Sequence, residues 1–263
     1  MKKYLYILKS ELMTNLQYSF DILIGFTGYI IHIFIFLNLW KYIYSNPNEL
    51  INGYNMNQMI WYVIITEILW MSISGRSLCR KISNDVRSGN IAYNLNKPYN
   101  YVEYSLFNHL GSTIVKFFLV GIIGMILGIL FLKEFPNITL LQGLGILLSS
   151  LLAITINILF LISIGLLSFI VEDANPFYWV YSKLILVLGI TFPIEFFPSF
   201  IQSIIKFSPI YVVSYGPAKL FVEYQTSAFL NILLFQIIYL IIAFTICHMI
   251  YKKGVKKLNV NGG

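Results

Sequence analysis

Long runs of apolar residues, separated by short polar segments, make up most of this chain of 263 residues. Several runs approach or exceed the roughly 20 residues that a helix needs to cross a bilayer. They predict an all-α membrane protein, because backbone groups in lipid must find hydrogen bonds within their own helix. Six spans are predicted, at about residues 22–44, 59–74, 110–132, 140–171, 177–190 and 229–251.

The segment before the first span, residues 1–20, has the pattern of a helix that lies in the membrane interface. Leu5, Leu8, Leu12 and Leu16 recur at helical spacing, while the lysines and an acidic residue take the other positions. The pattern leaves two interpretations open. The helix is either a basic anchor that fixes topology or a lever that contacts a cytosolic partner.

Residues 191–224 are apolar enough to stay in the membrane, but they carry Pro193, Pro198, Pro209 and Pro217. Proline lacks a backbone donor and clashes with the preceding turn, so these residues cannot form one continuous helix. Broken backbone at membrane depth must be buried in protein or line a wet cavity. Two short re-entrant helices, dipping in from the outer face before the sixth span, fit these breaks.

The most polar stretch is the basic loop, residues 76–104, between the second and third predicted spans. It contains five of the eighteen Lys and Arg residues. Short loops rich in Lys and Arg stay in the cytoplasm. With both termini on the same side as this loop, fourteen cations lie inside and four outside. The sequence therefore predicts six spans with both termini cytoplasmic.

Composition excludes a soluble domain. Hydrophobic residues make up 58% of the chain, charged residues 11%, and the mean hydropathy is +0.76. Soluble domains carry about 25% charged residues. The net charge of +7 does not indicate nucleic-acid binding, because the cations cluster beside the spans, where they set topology and meet anionic lipid headgroups.

The chain lacks the motifs of an enzyme with its own nucleotide or metal site. It contains no G-x-x-x-x-G-K-[ST], no H-E-x-x-H and no G-x-S-x-G. His32, His109 and His248 are scattered over different spans, so no metal site is predicted. Cys79 and Cys247 lie near the reducing cytoplasmic side and are expected to be free thiols.

A few polar residues fall inside the predicted spans or the Pro-rich segment. Glu67 lies near the middle of the second span, where an ionisable group suggests a function. It is either an acid that carries a proton or contacts substrate, or an acid paired at a helix interface with a residue such as His32. Asn157 is a candidate hydrogen-bonding residue in the fourth span. Glu195 either lines an exit vestibule or reaches external water. On the third span, Gly124 and Gly128 form a small-xxx-small pair that favours close helix packing.

The basic loop has a local pattern of its own. Gly89 is placed to end a helix, since glycine adopts the left-handed conformation readily. Residues 90–96 can then form about two turns, with Ile91 and Leu95 on one face, before Pro98 ends them. Asp85 and Arg87 can bind their own helix or a partner. A solvated topology loop is the simpler alternative.

The same residues carry a family resemblance. The run Asp85-Val86-Arg87-Ser88-Gly89-Asn90-Ile91, followed by Leu95, Lys97 and Pro98, resembles the D-[IV]-R-[ST]-G-x-[IL]…L-x-[KR]-P signature of type-2 ABC exporter permeases. Pro193, Phe197-Pro198, Pro209 and Tyr215-Gly216-Pro217-Ala218 resemble the Pro-rich stretch of the same family. The chain departs from the family at Ser208-Pro209-Ile210 and at Val222-Glu223, which leaves substrate specificity open.

The resemblance implies six helices with a re-entrant pair before the sixth. It also implies that a cytosolic ABC ATPase docks at residues 90–98 and binds the ATP and Mg, so this chain binds no cofactor itself. Two permease subunits, identical or similar, would form the pathway. On this basis the chain is expected to be a permease of a bacterial plasma-membrane exporter for peptides, drugs or lipids, with Pro193, Glu195 and Pro198, Glu67 and Asn157 as candidate pathway residues.

Three other function classes remain. An ion-coupled secondary transporter would use Glu67 and move substrate without ATP. A membrane-embedded enzyme would need polar residues that converge at one depth, and the sequence shows isolated ones. A membrane scaffold or sensor would not need the Pro-broken segment.

Overall fold

The computed structural model describes residues 2–25, 27–46, 49–171 and 173–261, and over these ranges the chain is helical. The prediction of an all-α protein is confirmed. The helices are α1 (Lys2–Gln17), α2 (Ser19–Gly25), α3 (Thr27–Ile43), α4 (Met56–Ser72), α5 (Gly75–Arg87), α6 (Asn90–Leu95), α7 (Tyr101–Leu132), α8 (Leu140–Leu166), α9 (Asn175–Ile185), α10 (Ser199–Lys206), α11 (Gly216–Val222) and α12 (Thr226–Asn261).

Three helices are long and apolar enough to cross a bilayer. They cover Tyr101–Leu132, Leu140–Phe169 and Thr226–Lys256, where the third, fourth and sixth spans were predicted. At 32, 30 and 31 residues they exceed the length of an average span, which tilt or extension beyond the membrane accommodates. The chain is therefore a membrane protein, and the count of six spans stays a prediction.

The other predicted spans coincide with shorter helices. Helices α3 and α4 have 17 residues each, the lower limit for a span. The predicted first span covers the end of α2 and all of α3, and residue 26 lies outside the described residues. The predicted fifth span consists of α9 and a π-helical continuation, Leu186–Thr191.

Helix α4 lies at the centre of the fold and is buried on all sides from Met59 to Leu69. It contacts α3, α7 and α11. Helix α7 approaches it closely through Gly124 and Gly128, where an added Cβ would overlap Tyr29 and Trp61 respectively. The predicted packing role of this glycine pair is confirmed.

Prolines divide the segment between α9 and α12, as their missing donors require. The π-helical stretch ends at Thr191, before Pro193, and α10 begins directly after Pro198. Pro209 is the first residue of the next helical stretch, where its missing N–H breaks no helical hydrogen bond, and this stretch continues through a π-helical segment, Tyr211–Tyr215, into α11. Helical stretches thus end or begin next to Pro193, Pro198 and Pro209, whereas Pro217 lies within a continuous helical stretch.

Side chains satisfy backbone carbonyls in this broken segment. The Gly189 carbonyl accepts hydrogen bonds from Tyr62 at 2.7 Å and from Ser214 at 2.8 Å. The amide of Gln236, on α12, donates to the carbonyls of Ser149 at 2.9 Å and Val212 at 3.1 Å. Side chains from neighbouring helices therefore satisfy these carbonyls, as irregular backbone requires wherever it lies within a membrane.

Candidate functional site

Helix α5 forms the first half of the basic loop and lies against the end of α8. Its apolar face, with Leu78, Ile82 and Val86, is buried, and its cationic residues are exposed. The approach is close at Gly165 of α8, where an added Cβ would lie 2.9 Å from the Ile82 Cβ. Helix α5 is therefore amphipathic with a fixed protein partner on one side and four exposed cations on the other.

Two polar contacts fix the position of α5 along α8. The Cys79 thiol donates to the Leu161 carbonyl at 3.2 Å. The Ser168 hydroxyl, just beyond α8, donates to the Ser83 hydroxyl at 2.7 Å. Burial raises the pKa of the Cys79 thiol to about 12. Because these contacts are buried and specific, a displacement of α5 must move α8 with it or break them.

The turn after α5 depends on Gly89. Its φ is +76°, in the left-handed region, and an added Cβ would meet no atom within 4 Å. The Ser88 hydroxyl donates back to the Asn84 carbonyl at 2.7 Å and helps to end α5. Helix α6, Asn90–Leu95, begins immediately afterwards. The short helix thus lies within the range in which the sequence predicted one, residues 90–96.

Helix α6 has an inner and an outer face. Ile91 is completely buried within the main hydrophobic core, and Leu95 packs against the edge of that core. On the outer face, Ala92 and Asn96 are exposed and Tyr93 is 69% exposed. The sequence pointed to Ile91 and Leu95, whereas the face that a partner could reach carries Tyr93. In the sequence, this outer face could have been recognised from an aromatic residue, Tyr93, on the same face as the small Ala92 and the polar Asn96.

The residues after α6 form a small cluster of aromatic rings around a cation. The Lys97 ammonium lies 4.6 Å from the centre of the Tyr93 ring and 5.8 Å from that of Tyr99. Tyr99 stacks on Tyr104 with ring centres 4.7 Å apart. Pro98, which lies between Lys97 and Tyr99 in the chain, is exposed. Contact with two ring faces holds Lys97 over the outer face of α6.

Asp85 and Arg87 have different surroundings. Asp85 accepts a hydrogen bond from the Tyr101 hydroxyl at 2.7 Å, which joins the end of α5 to the start of α7. Arg87 is exposed. The Asn175 backbone N–H is the main cause of the lowered pKa of Asp173, and the charge of Arg87 adds to it. Asp85 therefore acts within the fold, while the Arg87 guanidinium remains accessible.

Helix α1 lies along α7 and holds the end of the basic loop. The Lys3 ammonium donates to the Pro98 carbonyl. The Tyr4 hydroxyl accepts a hydrogen bond from the Asn100 backbone N–H at 3.0 Å, and its ring stacks on Phe107 at 5.6 Å. Sequence reasoning did not find these contacts, because the leucine pattern of α1 shows that it is amphipathic but not what it packs against.

Glu67, in α4, is buried within the helical bundle. Its carboxylate lies 4.0 Å from Nδ1 of His32, whose side chain is about half exposed. The Glu67 Oε2 atom has no hydrogen-bond partner among the described residues. The Asn157 side chain, in α8, accepts a hydrogen bond from the Tyr181 hydroxyl at 2.8 Å. Glu67 and Asn157, both predicted to be pathway residues, therefore contact different side chains, those of His32 and Tyr181 respectively.

Glu195 joins the Pro-rich segment to the loop before α4. Its two carboxylate oxygens accept hydrogen bonds from Tyr54 at 3.0 Å and Tyr215 at 2.6 Å, and the Lys219 ammonium lies 3.8 Å away. Burial and the Glu195 charge raise the pKa of Tyr54. Pro193 and Pro198 flank the short turn that carries Glu195. The structure thus places Glu195 in a network with two tyrosines and a lysine, and its role in a vestibule stays a prediction.

The predicted site residues form separate groups. Those of the basic loop lie together at one end of the bundle, whereas Glu67, Asn157 and Glu195 have different partners. Over the described ranges, no three His, Cys, Asp or Glu side chains are grouped so that they could hold a metal ion. Among these groups, the exposed face of α5 and α6 most resembles a surface that binds a partner protein.

Comparison with known protein families gives a match over most of the chain. The family described as "ABC-2 family transporter protein" matches residues 29–262, which includes α3 except for its first two residues and every later helix. No curated protein matches the chain at a significant level.

Proposed function

The chain belongs to the ABC-2 transporter family, and we propose that it is the membrane permease of an exporter driven by a separate ATPase. Family membership makes it a transport subunit of an ABC transporter. The proposal adds the direction, export, and the cargo, an amphipathic peptide, drug or lipid. ATP and Mg would be bound by the ATPase, since the sequence contains no P-loop.

The single observation that carries the proposal is how α6 is attached to the rest of the helical bundle. One face of this short helix is anchored by Ile91, and the other presents Tyr93 to solvent. Helix α6 connects through Gly89 to α5, which is bonded to α8 at Cys79. Asp85 links the same unit to α7 through Tyr101. A force applied to α6 is thereby delivered to the two long helices that follow the basic loop.

Coupling requires that the ATPase prefer one arrangement of these helices. A partner that bound both arrangements equally would move nothing, however tightly it bound. ATP binding would stabilise the ATPase in the form that fits one position of α6. Displacement of α6 with α5 and α8 then changes how the spans pack and exposes the pathway to the opposite side.

The proposed assembly contains a second permease, identical or similar, in a bacterial plasma membrane with both termini in the cytoplasm. Helices α3 and α12 present apolar faces to their surroundings, including Ile31 at 58% and Ile241 at 62% exposure. Such faces need lipid or another membrane helix as a neighbour. A second subunit on one of them would enclose a pathway between the two chains.

The function is tested with the exposed face of α6. Tyr93→Ala should lower both recovery of the ATPase with the tagged chain and substrate-stimulated ATP hydrolysis in vesicles, by about tenfold if the ring is an interface hot spot. Tyr42→Ala is the matched control, because Tyr42 is 89% exposed but lies at the end of α3. Unchanged recovery and hydrolysis in Tyr93→Ala, or transport by the isolated chain without ATP, would refute the proposal.

One observation favours a second candidate, an ion-coupled transporter. A buried acid such as Glu67, with an unpartnered oxygen and His32 beside it, is common along proton pathways. This candidate requires uptake or efflux driven by a pH gradient in vesicles that contain the chain alone. Glu67→Gln would abolish such transport, whereas it would leave ATPase coupling through α6 in place.

A further inference from the structure

An apolar groove lies between α7 and α8 at the ends farthest from the basic loop. It has a volume of about 670 Å³ and runs from Phe117 to Ile129 on α7 and from Leu140 to Ser150 on α8. Small-molecule sites commonly measure about 300–1,000 Å³. Apart from Thr139 and Ser150, its lining side chains are apolar. The groove therefore suits a hydrocarbon ligand.

The groove has the length of one membrane leaflet. The twelve-residue step from Phe117 to Ile129 rises about 18 Å at 1.5 Å per residue. Half of a hydrocarbon core of about 30 Å is about 15 Å. Because the groove begins near the middle of α7 and ends where α7 ends, it matches the reach of an acyl chain that enters from one leaflet.

Glycines keep the groove open on both walls. At Gly121 of α7 an added Cβ would meet nothing within 4 Å, and at Gly143 of α8 it would meet only Ile138, at 3.9 Å. This differs from Gly124 and Gly128 on the same helix α7, where a Cβ would overlap Tyr29 and Trp61. The second pair allows helices to pack, whereas Gly121 and Gly143 leave space that no described side chain fills.

A polar pocket adjoins the groove at its far end. It has a volume of about 280 Å³ and shares three lining residues with the groove, Phe135, Ile138 and Phe221. Its other lining residues include four amides, Asn55, Asn57, Gln58 and Asn137, with Glu134 as the one charged side chain. The two cavities together form an amphipathic site with a polar head and an apolar tail.

The charge of the polar pocket selects a headgroup. Asn57 donates to Glu134 Oε2 at 2.7 Å, and the Trp61 indole donates to the Glu134 carbonyl at 3.3 Å, so this residue is fixed at the pocket. A carboxylate beside the aromatic rings of Trp61 and Phe135 attracts an ammonium group. The described lining contains no Lys or Arg, so nothing there attracts a purely anionic headgroup.

From this continuity we propose that α7, α8 and the turn between them bind one membrane lipid with an ammonium-bearing headgroup. The acyl chain lies in the groove past Gly121 and Gly143, and the headgroup lies beside Glu134. The site is separate from the α6 surface. It rests on the proposed function only for the topology that places it in the outer leaflet.

The test uses the full-length chain in nanodiscs with phosphatidylethanolamine that carries a photoreactive group on one acyl chain. We expect labelling of peptides covering residues 117–129 and 140–150. Gly121→Leu and Gly143→Leu should lower it about tenfold, the effect of displacing roughly two buried methylene groups. Gly28→Leu is the matched control, because a Cβ at Gly28 of α3 also meets nothing within 4 Å and lies outside the groove.

The headgroup is tested by competition. Unlabelled phosphatidylethanolamine should displace the probe better than phosphatidylglycerol, and Glu134→Gln should remove that preference. Equal competition by the two lipids in the unsubstituted chain would overturn the headgroup assignment.

Three results would overturn the site itself. Labelling could be unchanged in both leucine variants, or equally strong on the exposed face of α12, as for non-specific boundary lipid. Disulfide-linked dimers of Gly121→Cys would show that a second copy of the chain covers the groove. Labelling involves no ATPase, so this proposal and the proposed function can fail independently.

Discussion

At the scale of single residues, Gly89 is required for its backbone conformation and not for packing. A side chain at this position would have open space around it, yet the φ of +76° is strained for any residue with a Cβ. The penalty for a left-handed conformation is about 1–2 kcal/mol. Glycine is therefore needed here for the direction of the chain between α5 and α6, which sets where α6 presents its outer face.

Two substitutions separate conformation from volume at Gly89. Gly89→Val should misplace α6 and lower substrate-stimulated ATP hydrolysis in the reconstituted complex, while the protein still inserts into the membrane. Gly89→Asn should retain most of the coupling, because asparagine tolerates the left-handed region better than β-branched residues do. Equal ATP hydrolysis in both variants would show that the turn conformation has no part in coupling.

Glu195 illustrates what the sequence could not provide at this scale. Its position in a Pro-rich segment predicted either a vestibule or contact with external water. The structure gives it Tyr54 and Tyr215 as donors, the first of them 141 residues away. Such pairing depends on how α4 and the Pro-rich segment pack, and no local pattern in the sequence encodes it.

At the scale of elements, the sequence was most informative where a residue type has a strict backbone requirement. Pro193, Pro198 and Pro209 lie at or near helix boundaries, and Gly89 lies between two helices. It was less informative where hydropathy alone defined an element. The predicted fifth span is an α-helix with a π-helical continuation, because hydropathy does not report how the backbone hydrogen bonds are spaced.

Helix α1 was predicted as an amphipathic helix, but its partner was not. It lies along α7, and at Gly111 of α7 an added Cβ would come within 2.7 Å of the Leu8 carbonyl. The Glu11 carboxylate accepts a hydrogen bond from Asn108 at 2.6 Å. With Lys3 and Tyr4 bound to the end of the basic loop, α1 connects that loop to α7.

Loss of the Tyr4 contacts should loosen the end of the basic loop. Tyr4→Ala removes the acceptor for the Asn100 N–H and the stacking on Phe107. Hydrogen exchange of the backbone at residues 99–104 should rise by about two- to tenfold, which corresponds to one hydrogen bond. Tyr6→Ala is the control, because Tyr6 is on the same helix and 71% exposed. An equal rise in the two variants would contradict a specific role for Tyr4.

At the scale of the whole molecule, charge and apolar surface are arranged as a membrane requires. The exposed cations of α5 lie at one end of the bundle, while exposed isoleucine and leucine side chains cover the outer sides of α3, α7 and α12. Three helices have the length and composition of spans. From the charge balance we expect the basic loop to be retained in the cytoplasm and the loop between α3 and α4 to be translocated.

Cysteine labelling tests this orientation, and the two native thiols should contribute little background labelling. Cys79 and Cys247 are both buried. The pKa of Cys79, raised to about 12, keeps the thiol protonated until the pH approaches that value, so little reactive thiolate forms near pH 7.5. Maleimide should therefore leave the unsubstituted protein unlabelled. Strong labelling of Cys79 in the folded protein would contradict its burial against α8.

Single cysteines can then report the side of each end of the bundle. Ser45→Cys and Ser88→Cys both introduce exposed thiols, the first after α3 and the second at the end of α5. In intact cells an impermeant maleimide should label Ser45→Cys and should reach Ser88→Cys only after the membrane is opened. The reverse pattern would place the basic loop outside. A cytosolic ATPase could not then contact Tyr93, and the coupling surface proposed for α6 would have to be abandoned even though the fold stayed the same.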